Sequence, residues 1–193
     1  MSEPKKSKVY FTKTITPEKM IEMYNKLDIK LTGNIGVKIH SGEKGNKNFL
    51  RPEFLKPIVD YLDGTIIETN TSGPSYCSER IENGVHGKLL EKHGWTTTFK
   101  KVEILDSEQP DEELDIPNGF ILKKNYIGSK TKNYDSILVC AHFKGHAWGG
   151  FGGALKQLSI GFGSRKGKTL MHSAGKSSDP NKLFETLCSD KVF

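Results

Sequence analysis

Residues 34–40 read Asn-Ile-Gly-Val-Lys-Ile-His, with apolar and polar side chains alternating in the two-residue period of a half-buried strand. A turn-rich stretch follows over 41–48. Pro52 then suits a first helical position, and Phe54, Leu55, Ile58, Val59 and Leu62 recur at helical spacing until Gly64 stops them. The scheme repeats: β-branched residues at 65–69 predict a second strand, 70–75 a loop, and 78–93 a helix ending at Gly94. Further strands are expected over 97–105 and 120–129, separated by an acidic surface loop at 106–118. The continuous apolar run at 136–141 has the character of a central strand buried on both faces. This order predicts an α/β fold, a mixed or mostly parallel sheet with flanking helices. In such sheets the ligand crevice lies at the carboxyl ends of the strands, so His40, the 70–75 loop and His142 are expected on one edge. Tyr76 and Arg80, just beyond that loop, are candidates for the same crevice.

A chain of 193 residues can bury one good core, and residues 1–193 are read as a single domain. No apolar run approaches the roughly 20 residues needed to cross a bilayer, and the start is polar and lysine-rich, so the expected location is cytoplasmic, with no membrane partner. Cys77, Cys140 and Cys188 are widely spaced, form no Cys-x-x-Cys pair, and are expected to stay reduced. The net charge of +6 attracts anions in general. Its lysines are dispersed rather than gathered into a basic run with interleaved aromatics, so nucleic acid is not an expected partner.

The densest chemistry runs from His142 to Lys156. Five glycines between Gly145 and Gly153 each cost a helix or strand roughly 0.5–1 kcal/mol, so they belong where backbone bends sharply or lies against something. Gly150, Gly152 and Gly153 are the candidates for that close approach, the alternative being a plain glycine turn. If the segment enters a helix near Gly153, its free amides would suit a phosphate or carboxylate, with Lys156 as counter-charge. His142 and His146 stand four apart, a spacing that suits paired imidazoles, although Gly145 argues against a helix there. The loop after the first strand offers His40, Glu43 and Lys44 for acid–base work, or is a solvated turn. Residues 161–168 read as a cationic loop in which Arg165 suits an anion, with Lys144 and Lys156 as further charge partners. His86 and His93, beside polar neighbours, are read as surface residues. Neither the zinc-protease His-Glu-x-x-His pattern nor a Walker phosphate loop occurs.

Val37-Lys38-Ile39-His40 with Gly42-Glu43-Lys44-Gly45-Asn46, then Arg51-Pro52-Glu53, Thr69-Asn70-Thr71, and His142-Phe143-Lys144-Gly145-His146 through Gly150-Phe151-Gly152-Gly153-Ala154-Leu155-Lys156 resemble the family numbered 362 among domains of unknown function. The resemblance implies an iron–sulfur-associated protein with the cluster held by cysteines of a ferredoxin-like module. No Cys-rich segment follows here, so the expectation is a truncated chain or a cluster-free member, with iron–sulfur only in a missing module. A second, weaker similarity is to the lactate racemase family, nickel-pincer enzymes acting on α-hydroxy acids. His146, Gly150, Phe151, Gly153, Lys156 and Gly161 fall in step with that family's glycine-rich motif, ten residues separating His146 from Lys156 and sixteen more reaching His172. Gly152 and Ala154 depart from it, and no partner for its upstream acid–base histidine is found. That similarity implies His146 as acid–base residue, Lys156 as the amine attaching a cofactor, His172 as a metal ligand and His142 as auxiliary.

Three function classes follow. One is a metal- or cofactor-dependent enzyme, redox or racemase-like, with catalytic His146, His142 and Lys156, cofactor contacts from Lys156, Gly150, Gly152, Gly153, Lys144, Arg165 and His40, and His172 on the metal. The second is a non-catalytic module binding an anionic small molecule. The third, nucleic-acid binding, rests on net charge alone.

Overall fold

The computed structural model describes residues 6–72, 78–81, 83–146 and 149–182. Helix α1 (Pro17–Asn25) precedes the first strand; Thr16 caps it by accepting from the Lys19 N–H, and Pro17 occupies a first-turn position where no N–H is needed. Strand β1 (Ile35–Lys38), helix α2 (Pro52–Tyr61) and strand β2 (Thr65–Glu68) form the first βαβ unit. Helices α3 (Asn83–Lys92) and α4 (Trp95–Thr98) lead to β3 (Val102–Ile104). All four residues of β1 are buried.

The main sheet runs β3-β2-β1-β6, with β6 at Ser136–Val139, and every neighbouring pair is parallel. The α/β class and parallel sheet read from the sequence are therefore what the chain adopts. Val37, Ile39 and Ile66 pack with Leu55, Ile58 and Val59 of α2, Leu90 of α3 and Trp95 of α4 in one core. Across the sheet, a side chain at Gly36 would lie 2.6 Å from Ile67 Cδ1, so glycine there lets neighbouring strands close up.

Several expectations are corrected. Within 136–141, Ser136–Val139 form an edge strand, not a central one, and those four residues are only half-buried. Thr97 and Thr98 belong to the turn of α4 rather than to a strand, because Trp95 anchors that turn fully buried in the core. The acidic loop at 106–118 contains β4 (Glu112–Asp115), which pairs antiparallel with β5 (Lys124–Ile127) as a separate two-stranded ribbon. The helix expected over 78–93 is assigned only from Asn83. Residues 161–168 are no loop, since α6 (Arg165–His172) starts there with Ser164 as its cap, accepting from the Gly167 N–H at 3.2 Å. The His142–His146 region is extended: β7 (Lys144–His146) and β8 (Gly150–Gly152) form a second antiparallel ribbon leading into α5 (Ala154–Leu158).

Helix α6 is seated by close approach. The Ser164 N–H donates to Tyr126 O at 3.0 Å, and a Cβ on Gly167 would lie 2.1 Å from that same carbonyl oxygen. Gly167→Ala is accordingly expected to push α6 off β5 and cost about 1–3 kcal/mol, an overpacking penalty. Chemical denaturation measures it; an unchanged midpoint would mean that the helix does not sit this close.

Candidate functional site

Two parallel strands end in opposite charges. Lys38 closes β1 and Glu68 closes β2, each at most 2% exposed, and the two are ion-paired. Arg80, in the segment after the β2 loop, brings Nη2 to 2.5 Å from Glu68 Oε1 and Nη1 to 2.8 Å from Glu43 Oε1. Burial alone would raise the Glu68 carboxyl pKa; Lys38 and Arg80 outweigh it and hold the group well below the usual carboxylate range. Burial likewise opposes the charge of Arg80, and Glu68 and Glu43 restore it.

This field reaches two histidines. His86 is fully buried, its Nδ1 2.9 Å from Asn70 Oδ1 and its Nε2 3.2 Å from Ser41 Oγ. Asn70 Nδ2 donates to Asp106 Oδ1, which orients the amide, so a neutral His86 donates from Nδ1 and accepts the Ser41 hydroxyl at Nε2. Burial, then Arg80, push its pKa to about 3. His93 is half-buried, stacked on Phe49 with ring centroids 4.6 Å apart, its Nδ1 2.9 Å from Ser41 O. The surface reading of both histidines is thus overturned. They share the inward face of α3 with Leu89 and Leu90 at positions i, i+3, i+4 and i+7, a pattern present in the sequence but masked by polar neighbours.

Lys168 is the third buried group. Its Nζ donates to Thr69 Oγ1 at 2.7 Å and to the Asn70 and Gly163 carbonyls at 2.6 Å each, stitching α6 to the end of β2. Burial, the largest cause, lowers its pKa to about 7, with Lys38 and Arg80 adding to the effect and Asp106 opposing it. Asp106 completes the stitch: Oδ1 accepts from the Asn70 N–H at 2.9 Å and Oδ2 from the Arg165 N–H at 3.0 Å. Nothing in their spacing flagged Glu68, His86, Lys168 or Asp106 as a set, because they come from four separate segments.

Next to this network lies a cavity of about 300 Å³. It sits beyond the carboxyl ends of β1 and β6, the two neighbours between which the strand order reverses, where doubly wound sheets open a crevice. The ends of the two strands contribute His40 and, from the other side, Cys140, Ala141 and His142. The β7–β8 ribbon adds Lys144, His146, Gly152 and Gly153, α5 adds Lys156 and Gln157, and α6 adds Lys168 and His172. Thr71, from the described part of the loop after β2, and Arg80 also line it. Tyr76, Cys77 and Cys188 lie outside the described residues.

Of the residues singled out from the sequence, His40, His142, Lys144, His146, Gly152, Gly153, Lys156 and His172 share this wall. Gly150 and Arg165 do not. Gly150 takes φ +71° at the turn of the β7–β8 ribbon, where it serves the bend, and Arg165 spends its backbone N–H on Asp106 in the first turn of α6. The wall carries four cationic side chains, Arg80, Lys144, Lys156 and Lys168, against one carboxylate, Glu43. Those cations and burial together lower the pKa of three of the imidazoles on the wall. Arg80, then burial, lowers His40; burial, then Lys156 and Lys168, lowers His172; burial, then Lys156 and Lys144, lowers His146. Lys156 is itself lowered by burial and then by Lys144. The Gly149 N–H donates to His146 Nδ1 at 3.0 Å, which places the proton of the neutral ring on Nε2.

Among the described residues no three of His, Cys, Asp and Glu come together as metal ligands, so a metal held by side chains alone does not fit. Lys156 and His172 do face one space, which suits a cofactor anchored on the amine and ligated by the imidazole. Cys140 is buried and free, its thiol pushed up to about 12 by burial, so it is a poor ligand for a cluster. No described helix is long and apolar enough to cross a membrane.

Fold and site together define an α/β protein with a cationic, imidazole-rich cavity at the switch point of a parallel sheet. The chain belongs to the family described as Domain of unknown function (DUF362), which it matches over residues 35–190. No curated protein and no solved structure matches it significantly.

Removing the shared carboxylate would strand two buried cations. Glu68→Gln is expected to cost about 3–5 kcal/mol, measurable by urea unfolding, and a loss below 1 kcal/mol would contradict the burial of the pair. His86 gives a pH signature. Its folded pKa lies below the unfolded value of about 6.5, so the unfolded chain binds the extra proton and stability falls as pH drops from about 6.5 toward 3. Between pH 7 and pH 5 this one group accounts for about 2 kcal/mol. His86→Gln should flatten the slope by that amount, and identical slopes in the two proteins would refute the assignment.

Proposed function

We propose that this protein is a cytoplasmic enzyme that holds an anionic small molecule in the cavity at the ends of β1 and β6 and moves protons on it. The observation that carries the reading is the composition of one wall: four cations against one carboxylate, interleaved with His40, His142, His146 and His172. Cations draw in a carboxylate or phosphate, and together with burial they keep His40, His146 and His172 neutral and able to accept a proton at neutral pH.

In this reading Lys144, Lys156 and Arg80 hold the anionic group, His40 and the backbone at Gly152 and Gly153 complete the wall around it, and His142, His146 and His172 stand at the reacting end. His146 enters as a donor from Nε2, because Gly149 occupies Nδ1. For it to take up a proton as well, the ring must release that bond. In an alternative arrangement a cofactor carrying its own metal would be attached at Lys156, whose amine would then no longer hold the anion, and ligated by His172; when bound it would supply Lewis-acid or redox chemistry. The free, buried Cys140 accords with a reducing compartment.

The competing reading is a binding module for the same class of ligand without chemistry. Incubation with a panel of small carboxylates and phosphate esters in D2O, followed by proton NMR, separates the two. An enzyme of this kind exchanges a carbon-bound proton of at least one bound compound, and His172→Gln or Lys156→Met abolishes the exchange. Thermal stabilisation of about 2.7 kcal/mol near 100 times the dissociation constant, with no exchange for any compound and with or without added metal ions, would leave only the module.

A further inference from the structure

The cations of the cavity wall and its apolar side chains come from different parts of the chain. Arg80, Lys144 and Lys156 stand on the segment after β2, on β7 and on α5. Phe49 and Leu50 come from the loop that leads into α2, Cys140 and Ala141 from just past the end of β6, and Ile160 from the turn after α5. Within the β7–β8 ribbon the register makes the same separation. Lys144, His146 and Gly152 line the cavity, while Gly145 and its partner Phe151, on the opposite face, do not.

The apolar residues are the place where the hydrophobic core reaches the cavity. Phe49 and Cys140 belong to the main core cluster, and Leu50 packs against it. Phe49 is held on two sides: its ring stacks on His93 with centroids 4.6 Å apart, and a Cβ on Gly42 would lie 2.6 Å from its Cδ1. The ring has no room to swing aside. Leu50, Ala141 and Ile160 are only half-buried, so apolar surface remains uncovered.

An oxyanion by itself uses donors and nothing else. Inorganic phosphate or a two-carbon acid would be satisfied by Arg80, Lys144 and Lys156 and would leave Phe49, Leu50, Ala141 and Ile160 facing water. At about 300 Å³ the cavity has the volume of about ten molecules of liquid water, several more than so small an anion displaces. Water held against apolar walls is unfavourable, and a carbon body in its place is not. We infer that the ligand of this cavity is an amphipathic acid, a carboxylate or phosphate head on an apolar body of about five to eight carbons, with the head on the cations and the body on the wall of Phe49, Leu50, Ala141 and Ile160. The inference rests on the anion-binding reading of the cavity and adds the class of ligand to it.

Calorimetric titration of the whole chain with straight-chain carboxylates of two to ten carbons, and with the corresponding monoalkyl phosphates, tests it. In at least one series affinity is expected to rise about fourfold with each methylene buried and to stop rising once the cavity is full. In Leu50→Asn and Ile160→Asn the gain per methylene falls to about twofold or less, while the shortest member of the series binds within about twofold of wild type. The wild-type series decides the matter even if a variant fails to fold. Affinity that is indifferent to chain length, a rise that continues unchanged through ten carbons, or a gain that survives in both variants overturns the amphipathic ligand and leaves the anion-binding reading standing. Failure of every carboxylate and phosphate to bind removes that reading, and this inference with it.

Discussion

The ion triad of Lys38, Glu68 and Arg80 is the constraint from which the site is built. A carboxylate at the end of β2 that is wholly buried has to be compensated on the spot, and the two cations that compensate it come from different directions. Lys38 ties β2 to β1. Arg80 ties both to Glu43 in the loop after β1, and its Nη1 lies 3.2 Å from His40 Nε2. Charge pairing thereby joins the described residues of the loops after β1 and β2 along one side of the cavity, beside the apolar packing of Phe49 into the core. Such a triad contributes little net stability over a well-packed apolar substitute, but it permits few alternative arrangements of those loops.

The excess of cations on the cavity wall, which Lys144, Lys156 and Lys168 supply, has two effects with a common cause. It makes the cavity attractive to anions, and together with burial it depresses the pKa of His40, His146 and His172. The two effects are coupled. An anion placed among Arg80, Lys144 and Lys156 cancels part of their field, so His172 and His146 gain proton affinity at the moment of binding. Neutral imidazoles before binding and more basic ones after it are the order of events that a proton abstraction needs. Lys168 lies outside this exchange, since its three acceptors, Thr69, Asn70 and Gly163, already account for the three hydrogens of the ammonium.

The sequence announced the parallel sheet because α2 carries a helical period, β1 an alternation and β2 a β-branched run, although β1 proves to be buried on both faces rather than on one. The location of the cavity followed from the rule on strand ends, and eight of the ten site residues named from the sequence share its wall. The failures have a physical pattern as well. Residues 136–141 looked like a central strand because edge strands that pack beside helices can be equally apolar, and sheet order depends on long-range pairing that local periodicity does not encode. Strand β5 falls within the strand expected over 120–129, but its partner β4 was missed because Glu112–Asp115 is largely polar and mostly exposed. His86, Lys168 and Gln157 escaped because a buried polar residue is recognised by its partners, and Ser41, Thr69 and Cys140 are 45, 99 and 17 positions away from them.

The glycines of the β7–β8 segment separate into those that the backbone requires and those that the cavity requires. At Gly150 the left-handed φ is reason enough. Gly152 has ordinary backbone and no crowding: a Cβ there would meet Lys156 Cδ at 3.7 Å and Lys144 Cγ at 3.8 Å, both comfortable contacts. Packing therefore does not demand glycine at this position, in contrast to Gly167, where a carbonyl oxygen stands at 2.1 Å. What a side chain at Gly152 would change is the space between two lysine stems that line the cavity. Any branched residue there would part the two ammonium groups or block the gap between them, and the proposed anion site would need both to reach the same point.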